Sequence, residues 1–286
     1  MNVAVYGGSF DPPHIGHQEI IKESLSKLDI EVLYVIPTFL NPFKNKFFAP
    51  SDIRLKWVEK LLLDIPKAKV LDFEINQQRP VPTIETIQYI IDNYDINTIY
   101  LIIGADNVSD LPKWKEFEKL NKLVTFVIAT RDGLNIPKNL QKLDINVTIS
   151  STFLRDNLKK EYLPIMIADD VLKFYTGYKM NQRIEAIIKF LDEKKAENIE
   201  AFDMRDKDYF VDDVIIATTL GTKHGTSLAD YLKKELKADG ILDIEQSDEW
   251  SVIDMGDMLI HLMSPEYRAM YNIEEFLSQR DEKEKY

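Results

Sequence analysis

The sequence contains no cysteine, which removes disulfide scaffolds, thiolate zinc sites and cysteine nucleophiles together. Histidine is nearly as scarce, with four among 286 residues, so imidazole chemistry has few places to occur. No uncharged apolar stretch approaches the roughly 20 residues of a membrane span. The opening MNVAVYGGSFDPP lacks the basic patch and apolar run of a signal peptide. These absences predict a soluble, cytoplasmic chain with no membrane partner. Basic side chains are in deficit too. The 36 Lys and Arg against 48 Asp and Glu leave a net charge of −12, which argues against direct DNA binding, since phosphate backbones are held by many basic residues. Neither GxxxxGK[ST] nor GxGxxG occurs, so the usual glycine-loop nucleotide motifs are missing as well.

What is present divides in two. Residues 1–179 carry 23 acidic and 22 basic side chains, whereas residues 180–286 carry 25 and 14. An asymmetry this abrupt predicts two domains with different surfaces and partners. The expected boundaries are 1–178 and 180–280, with 281–286 a charged tail. Met180 stands where a start codon would, as in a gene fusion. Along the first part, short apolar runs at Val3–Tyr6, Val32–Ile36, Val70–Phe73, Ile99–Ile103, Phe126–Ala129 and Val147–Ile149 alternate with helix-period segments. Those helices are expected at Gln18–Leu28, Ile53–Leu63, Ile84–Tyr94, Trp114–Leu120, Ser151–Leu158 and Ile167–Tyr175. Alternation of this kind predicts an α/β fold with a parallel sheet covered on both faces. After Gly177-Tyr178-Lys179 a second helix is expected from Asn181 to about Lys195. Strands at Ile199–Asp203, Val214–Thr218, Trp250–Asp254 and Met258–Leu262 follow, with a helix at Ser227–Leu236 capped by Gly240. This describes a smaller α/β domain.

The informative segment is GGSFDPPHIGH, from Gly7 to His17, directly after the first strand. Ligands of open parallel sheets bind at the carboxyl ends of strands. Gly7 and Gly8 let the backbone approach a ligand there. His14 and His17 lie three apart around Gly16 at a helix start, a spacing that aims both imidazoles and the free helix amides at one phosphate. A metal-binding pair would need a third ligand, and none is evident nearby. Far downstream, Ser151 and Thr152 open another helix with Arg155 in its first turn, a second arrangement suited to phosphate oxygens.

The Gly7–His17 segment resembles the signature of the nucleotidylyltransferase superfamily with a His-x-Gly-His motif, and Ile149–Arg155 resembles its ISSTxxR segment. Within that superfamily, residues 1–178 are similar to bacterial nicotinate-nucleotide adenylyltransferases. Ile36-Pro37 with Pro42 and Lys44, Arg54, Arg79-Pro80, Thr83-Ile84-Glu85-Thr86, Gly104-Ala105-Asp106-Asn107 with Trp114, and Arg131 carry the likeness. The resemblance implies a Rossmann-like domain that moves the adenylyl group of ATP onto nicotinate mononucleotide. It makes His14 and His17 catalytic. ATP would lie against Gly7, Gly8, Ser9, Phe10, Gly16, Ser151, Thr152 and Arg155. The mononucleotide would meet Lys44, Thr83, Thr86, Gly104, Asp106, Trp114 and Arg131. Mg2+ would arrive on the triphosphate, held by ATP and water and not by protein ligands. Two positions depart from the family pattern: Phe43 stands where a histidine is usual, and Pro82 has no N–H where the family's turn amides meet the nicotinate carboxylate. Another acceptor (nicotinamide mononucleotide, phosphopantetheine or a flavin nucleotide) is the alternative enzyme reading.

The second part resembles the ribosomal silencing factor, or Iojap-like, family. The likeness runs through Leu191–Ile199, Asp212–Thr218, His224, Glu249–His261 and Pro265–Tyr271. It implies docking on the large ribosomal subunit through a basic ribosomal protein, blocking subunit joining and lowering translation. Such domains are often dimeric, which leaves a homodimer open. The family's Asp-Tyr-Phe reads Asp212-Asp213-Val214 here, and a late Phe and Trp are Met270 and Leu277. A ribosome-associated binding protein with an inactive enzyme domain is the reading of another class.

Overall fold

Strand β1 (Asn2–Gly8) has Val3 to Tyr6 buried on both of its faces, as a central strand of a helix-covered parallel sheet must. The structure is a computed structural model that describes residues 1–44, 46–130, 141–145, 149–236 and 240–280. It divides into two units, Met1–Thr176 and Gly177–Tyr286.

In the first unit β1 is followed by β2 (Val32–Pro37), β3 (Ala68–Val70), β4 (Thr98–Gly104), β5 (Thr125–Thr130) and β6 (Gln141–Asp144). All pair in parallel, in the order β3-β2-β1-β4-β5-β6. The helices are α1 (Ile15–Lys27), α2 (Ser51–Leu62), α3 (Phe73–Asn76), α4 (Thr83–Asn93), α5 (Phe117–Leu123), α6 (Ser151–Asp156) and the start of α7 (Ala168–Glu193). Two cores lie against the sheet. Ile21 of α1 and Val58 and Leu61 of α2 pack with Ala4, Tyr6, Leu33 and Val35. Ile84, Ile87 and Ile90 of α4 and Leu120 of α5 pack with Val3, Val5, Leu101 and Ile103. Strand order reverses between β1 and β4, which opens a crevice at their carboxyl ends, where doubly wound sheets bind ligands.

Several elements depart from the expected bounds. Phe73 begins the one-turn helix α3 instead of ending a strand. The segment after β4 is a 3-10 helix, Ala105–Lys113, and α5 starts only after Glu116, whose φ of 52° is left-handed. The sixth strand is Gln141–Asp144; of the expected Val147–Ile149, residues 147–148 lie outside the described residues. Helix α7 runs through Gly177 without the expected break, since one interior glycine costs only about 1 kcal/mol.

The second unit forms a mixed sheet in the order β7-β8-β11-β10-β9. Its strands are β7 (Glu197–Asp203), β8 (Asp213–Thr218), β9 (Asp243–Gln246), β10 (Trp250–Asp254) and β11 (Met258–Met263). The central pair, β8 and β11, is parallel and buried throughout. Helix α8 (Thr222–Glu235) covers one face with Leu228, Ala229 and Leu232. It ends on Leu236, so Gly240 is not its cap. Helices α9 (Pro265–Tyr271) and α10 (Ile273–Ser278) serve the other face, where Leu277 is core and Met270 is exposed. The tail 281–286 lies outside the described residues. Among the described residues no helix is long and apolar enough to cross a membrane.

Candidate active site

The crevice holds a cavity of about 620 Å³. Its lining includes the β1 loop (Gly7–Phe10, His14, Gly16, His17), the β2 loop (Thr38, Asn41–Lys44) and the turn into α4 (Val81–Thr83, Thr86). It also includes Gly104–Asn107, Lys113–Lys115 and Ser150–Thr152. Of the residues singled out by sequence, Gly7, Gly8, Ser9, Phe10, His14, Gly16, His17, Lys44, Thr83, Thr86, Gly104, Asp106, Trp114, Ser151 and Thr152 share this one space. Arg131 lies outside the described residues.

The β1 loop is built differently from a glycine turn. Gly7 and Gly8 are ordinary strand residues, and the left-handed position is Phe10, at φ 49° and 1% exposed. Its ring fills the space under His17 (centroids 4.9 Å) and meets Tyr6 edge-on at 5.6 Å. A non-glycine residue with positive φ persists only when its surroundings hold it there. His14 then caps α1 in extended conformation, and its backbone N–H donates to His17 Nδ1 at 3.1 Å. The two imidazoles stack with centroids 3.7 Å apart. Because Nδ1 of His17 accepts, its neutral ring carries the proton on Nε2, which makes Nε2 a donor.

Asp11 and Arg54 hold this loop. The buried Asp11 carboxylate accepts from the Phe48 and Ala49 amides at 2.8 and 2.9 Å and from the Tyr175 hydroxyl. Burial and then the Asp11 charge push the Tyr175 phenol far above its ordinary range. Arg54, 1% exposed, donates to the carbonyls of Ala49 (2.9 Å), Ser9 (2.6 Å), Thr38 (2.8 Å) and Phe39 (2.8 Å). Burial lowers its pKa, with Asp11 opposing, and a guanidinium keeps its charge regardless. Sequence reasoning met Arg54 only as part of a likeness. A lone Arg at a helix start carries no spacing signal for four scattered carbonyls.

The downstream phosphate arrangement meets the same loop. Ser150 caps α6 by accepting from the Phe153 amide at 3.1 Å, and Ser151 Oγ donates to the Pro12 carbonyl at 2.9 Å. Arg155 departs from expectation in one respect. It does not line the main cavity but a neighbouring recess of about 90 Å³, shared with Ser9, Asn41, Lys44, Lys46 and Thr152. There it donates to the Asp11 carbonyl and to Thr152 Oγ1 (3.0 Å) and stacks over Phe48 at 4.2 Å. Lys44 reaches Ser9 Oγ at 3.5 Å, and its pKa is lowered by desolvation and then by the Arg155 charge. An anion entering here would oppose that lowering by favouring the charged form of Lys44.

Trp114 packs against the α4-side core while lining the cavity, and its indole N–H has no partner among the described residues. The sequence reading missed Glu74 of α3. It lines the cavity at 6% exposure and accepts from Thr86 Oγ1 at 2.7 Å. A carboxylate inside a one-turn helix has no sequence pattern to mark it. Among the described residues, no group of three or more His, Asp or Glu side chains forms a metal cage.

In the second unit the two histidines serve structure. His224 accepts from the Leu220 amide at 3.0 Å and meets the Lys194 carbonyl at 2.8 Å. His261 accepts from Trp250 Nε1 at 3.1 Å.

Comparison with known proteins fits this division. Residues 5–157 match the family described as "Cytidylyltransferase-like", and residues 178–285 match "Ribosomal silencing factor during starvation". A Campylobacter jejuni protein named "Probable nicotinate-nucleotide adenylyltransferase" is 47% identical over 181 residues, 63% of this chain and 100% of the relative. A protein of the same name from Nitratiruptor is 43% identical over 175 residues, 61% of this chain and 99% of the relative. Among solved structures, a Plasmodium falciparum nicotinic acid mononucleotide adenylyltransferase is 24% identical with a TM-score of 0.48, covering 62% of this chain and 97% of that one.

Proposed function

Since the chain belongs to the cytidylyltransferase-like family, among its nicotinate-nucleotide adenylyltransferases, we propose that it transfers the adenylyl group of ATP to nicotinate mononucleotide. The observation that carries the reading is that His14, His17, Lys44, Ser151 and Thr152 line one cavity together with Trp114 and Thr86. The first group suits phosphates, and the indole suits a flat heteroaromatic ring.

In this reading a phosphate oxygen of the mononucleotide forms a bond to the α-phosphorus of ATP. The bond from that phosphorus to the bridging β-phosphate oxygen breaks, giving deamido-NAD and pyrophosphate. The attacking oxygen is already anionic, so no protein base is required. Alignment and charge stabilisation do the work. His17 Nε2–H and His14 act on the transferred phosphate, where charge develops. Lys44, with Arg155 and Lys46 around the adjoining recess, would receive the departing pyrophosphate. Mg2+ on the triphosphate would neutralise charge. With the Asp11 oxygens taken by Phe48, Ala49 and Tyr175, it would be carried by phosphates and water. Pyrophosphate release from ATP and nicotinate mononucleotide tests the proposal, and no release with that acceptor would refute it.

For the second unit we propose docking on the large ribosomal subunit through a basic ribosomal protein, which would block subunit joining. The family match and the 25 acidic against 14 basic side chains of residues 180–286 support it, since opposite potentials speed and orient association. Co-sedimentation of the full chain with purified large subunits is expected. Association that is equally strong without residues 180–286 would refute the assignment.

A further inference from the structure

Building on the adenylyltransferase reading, we propose that Glu74 reads the substituent of the acceptor's pyridine ring. As a neutral carboxyl group it donates from Oε2 to a nicotinate carboxylate, and as a carboxylate it accepts from a carboxamide N–H.

The placement supports this. Glu74 lines the cavity together with Val81, Pro82, Thr83, Thr86 and Trp114, and its neighbour Phe73 packs against the core formed with Ile84 and Ile87 of α4. Its Oε1 is occupied by Thr86 Oγ1 at 2.7 Å, while Oε2 has no hydrogen bond among the described residues. Pro82 offers no N–H at this wall. A carboxyl group serving packing alone would be a costly choice here, because burying an ionised carboxylate without a charged partner is strongly unfavourable. The charged groups of the neighbouring segments are engaged with one another or line other parts of the cavity. From α4, Glu85 pairs with Arg79 (2.6 Å) and Lys115 (3.1 Å), and Lys113 pairs with Asp110 (2.6 Å). Asp72 precedes α3, Asp106 lines the 3-10 helix wall, and His14 and His17 line the α1 side. Burial, opposed only by the Thr86 bond, lifts Glu74 to about 7. The group therefore changes state across the pH range in which the enzyme would work.

The test uses the full chain with saturating ATP. It compares kcat/KM for nicotinate and nicotinamide mononucleotide between pH 6 and 8. The acceptor phosphates titrate alike and cancel in the ratio. The acid-to-amide ratio should fall at least about tenfold over that range, the change in protonated fraction of one group titrating near neutrality. In Glu74→Gln it should be flat. Calorimetry of the unaltered protein at pH 7.5, in buffers of different ionisation enthalpy, should detect net proton uptake on binding the acid and a smaller net release on binding the amide. A flat ratio in the unaltered protein, or equal uptake for both acceptors, overturns the proposal. Absence of pyrophosphate release with either acceptor would instead remove the adenylyltransferase reading, and this proposal with it.

Discussion

His14 and His17 are joined twice: their rings stack at 3.7 Å, and the backbone N–H of His14 donates to Nδ1 of His17 at 3.1 Å. The same ring thus caps the first turn of α1 through one nitrogen and leaves the other as a donor. The two tasks can be separated, because the amide oxygen of Asn occupies the place of Nδ1. His17→Asn should keep a thermal unfolding midpoint near that of the unaltered chain while pyrophosphate release falls about 10²- to 10³-fold, as for loss of one transition-state donor. Near-normal turnover would remove His17 from the proposed chemistry.

Gly16 fixes the other imidazole by leaving room for it. A Cβ there would stand 3.0 Å from His14 Nδ1, 3.1 Å from Cε1 and 3.5 Å from Ile149 Cγ2. His14 cannot retreat without losing its stack on His17. Gly16→Ala should therefore lower kcat by about ten- to a hundredfold through misplacement of a few tenths of an ångström or more. ATP binding, measured by equilibrium titration, should change far less.

Arg54 predicts a loss of both stability and ATP affinity. Arg54→Met retains apolar bulk but strands the carbonyls of Ser9, Thr38, Phe39 and Ala49. Each buried acceptor left unpaired costs about 1–3 kcal/mol. Urea denaturation followed at Trp57, which lies on the same helix, should report a lower midpoint, and KM for ATP should rise. A midpoint unchanged from that of the full unaltered chain would contradict the bracing role.

The second unit carries two buried groups with opposite acid responses. Burial raises Asp213 to about 6 from 3.8 and lowers His261 to about 4 from 6.5. Asp213 takes up its proton earlier in the folded than in the unfolded chain, so its contribution grows as pH falls from 6 toward 3.8 and is lost as pH rises through 6. His261 does the reverse: its contribution is full above 6.5 and is lost as pH falls toward 4. Each amounts to about 3 kcal/mol at most, so they nearly cancel between pH 6 and 4. Hydrogen exchange of the β8 and β11 amides should show Asp213→Asn more acid-sensitive than the unaltered chain and His261→Phe less so. Identical pH dependence in all three would refute the account.

Much of the architecture was legible in hydrophobic pattern. The buried runs Val3–Tyr6 and Ile99–Ile103 read as strands because both faces are covered, and α4 read as a helix because Ile84, Ile87 and Ile90 recur on one face. The short edge strand Asp243–Gln246 escaped because its residues are largely exposed and acidic. The expected break at Gly177 failed because one interior glycine costs a helix only about 1 kcal/mol. In the cavity, residues marked by local spacing were visible and those marked by tertiary contact were not. Arg54 and Glu74 acquire meaning only when loops distant in sequence close around them. Phe10 carried no such mark either: its left-handed backbone follows the glycines and is held by aromatic neighbours.

The four carbonyls around Arg54 come from three separate chain segments, and neither donor nor acceptors belong to a substrate. In the proposed reaction pyrophosphate would leave Lys44 and the histidines, while the Arg54 bonds that space the β1 and β2 loops would stay in place. The site left by one product would then already have the spacing that the next ATP needs.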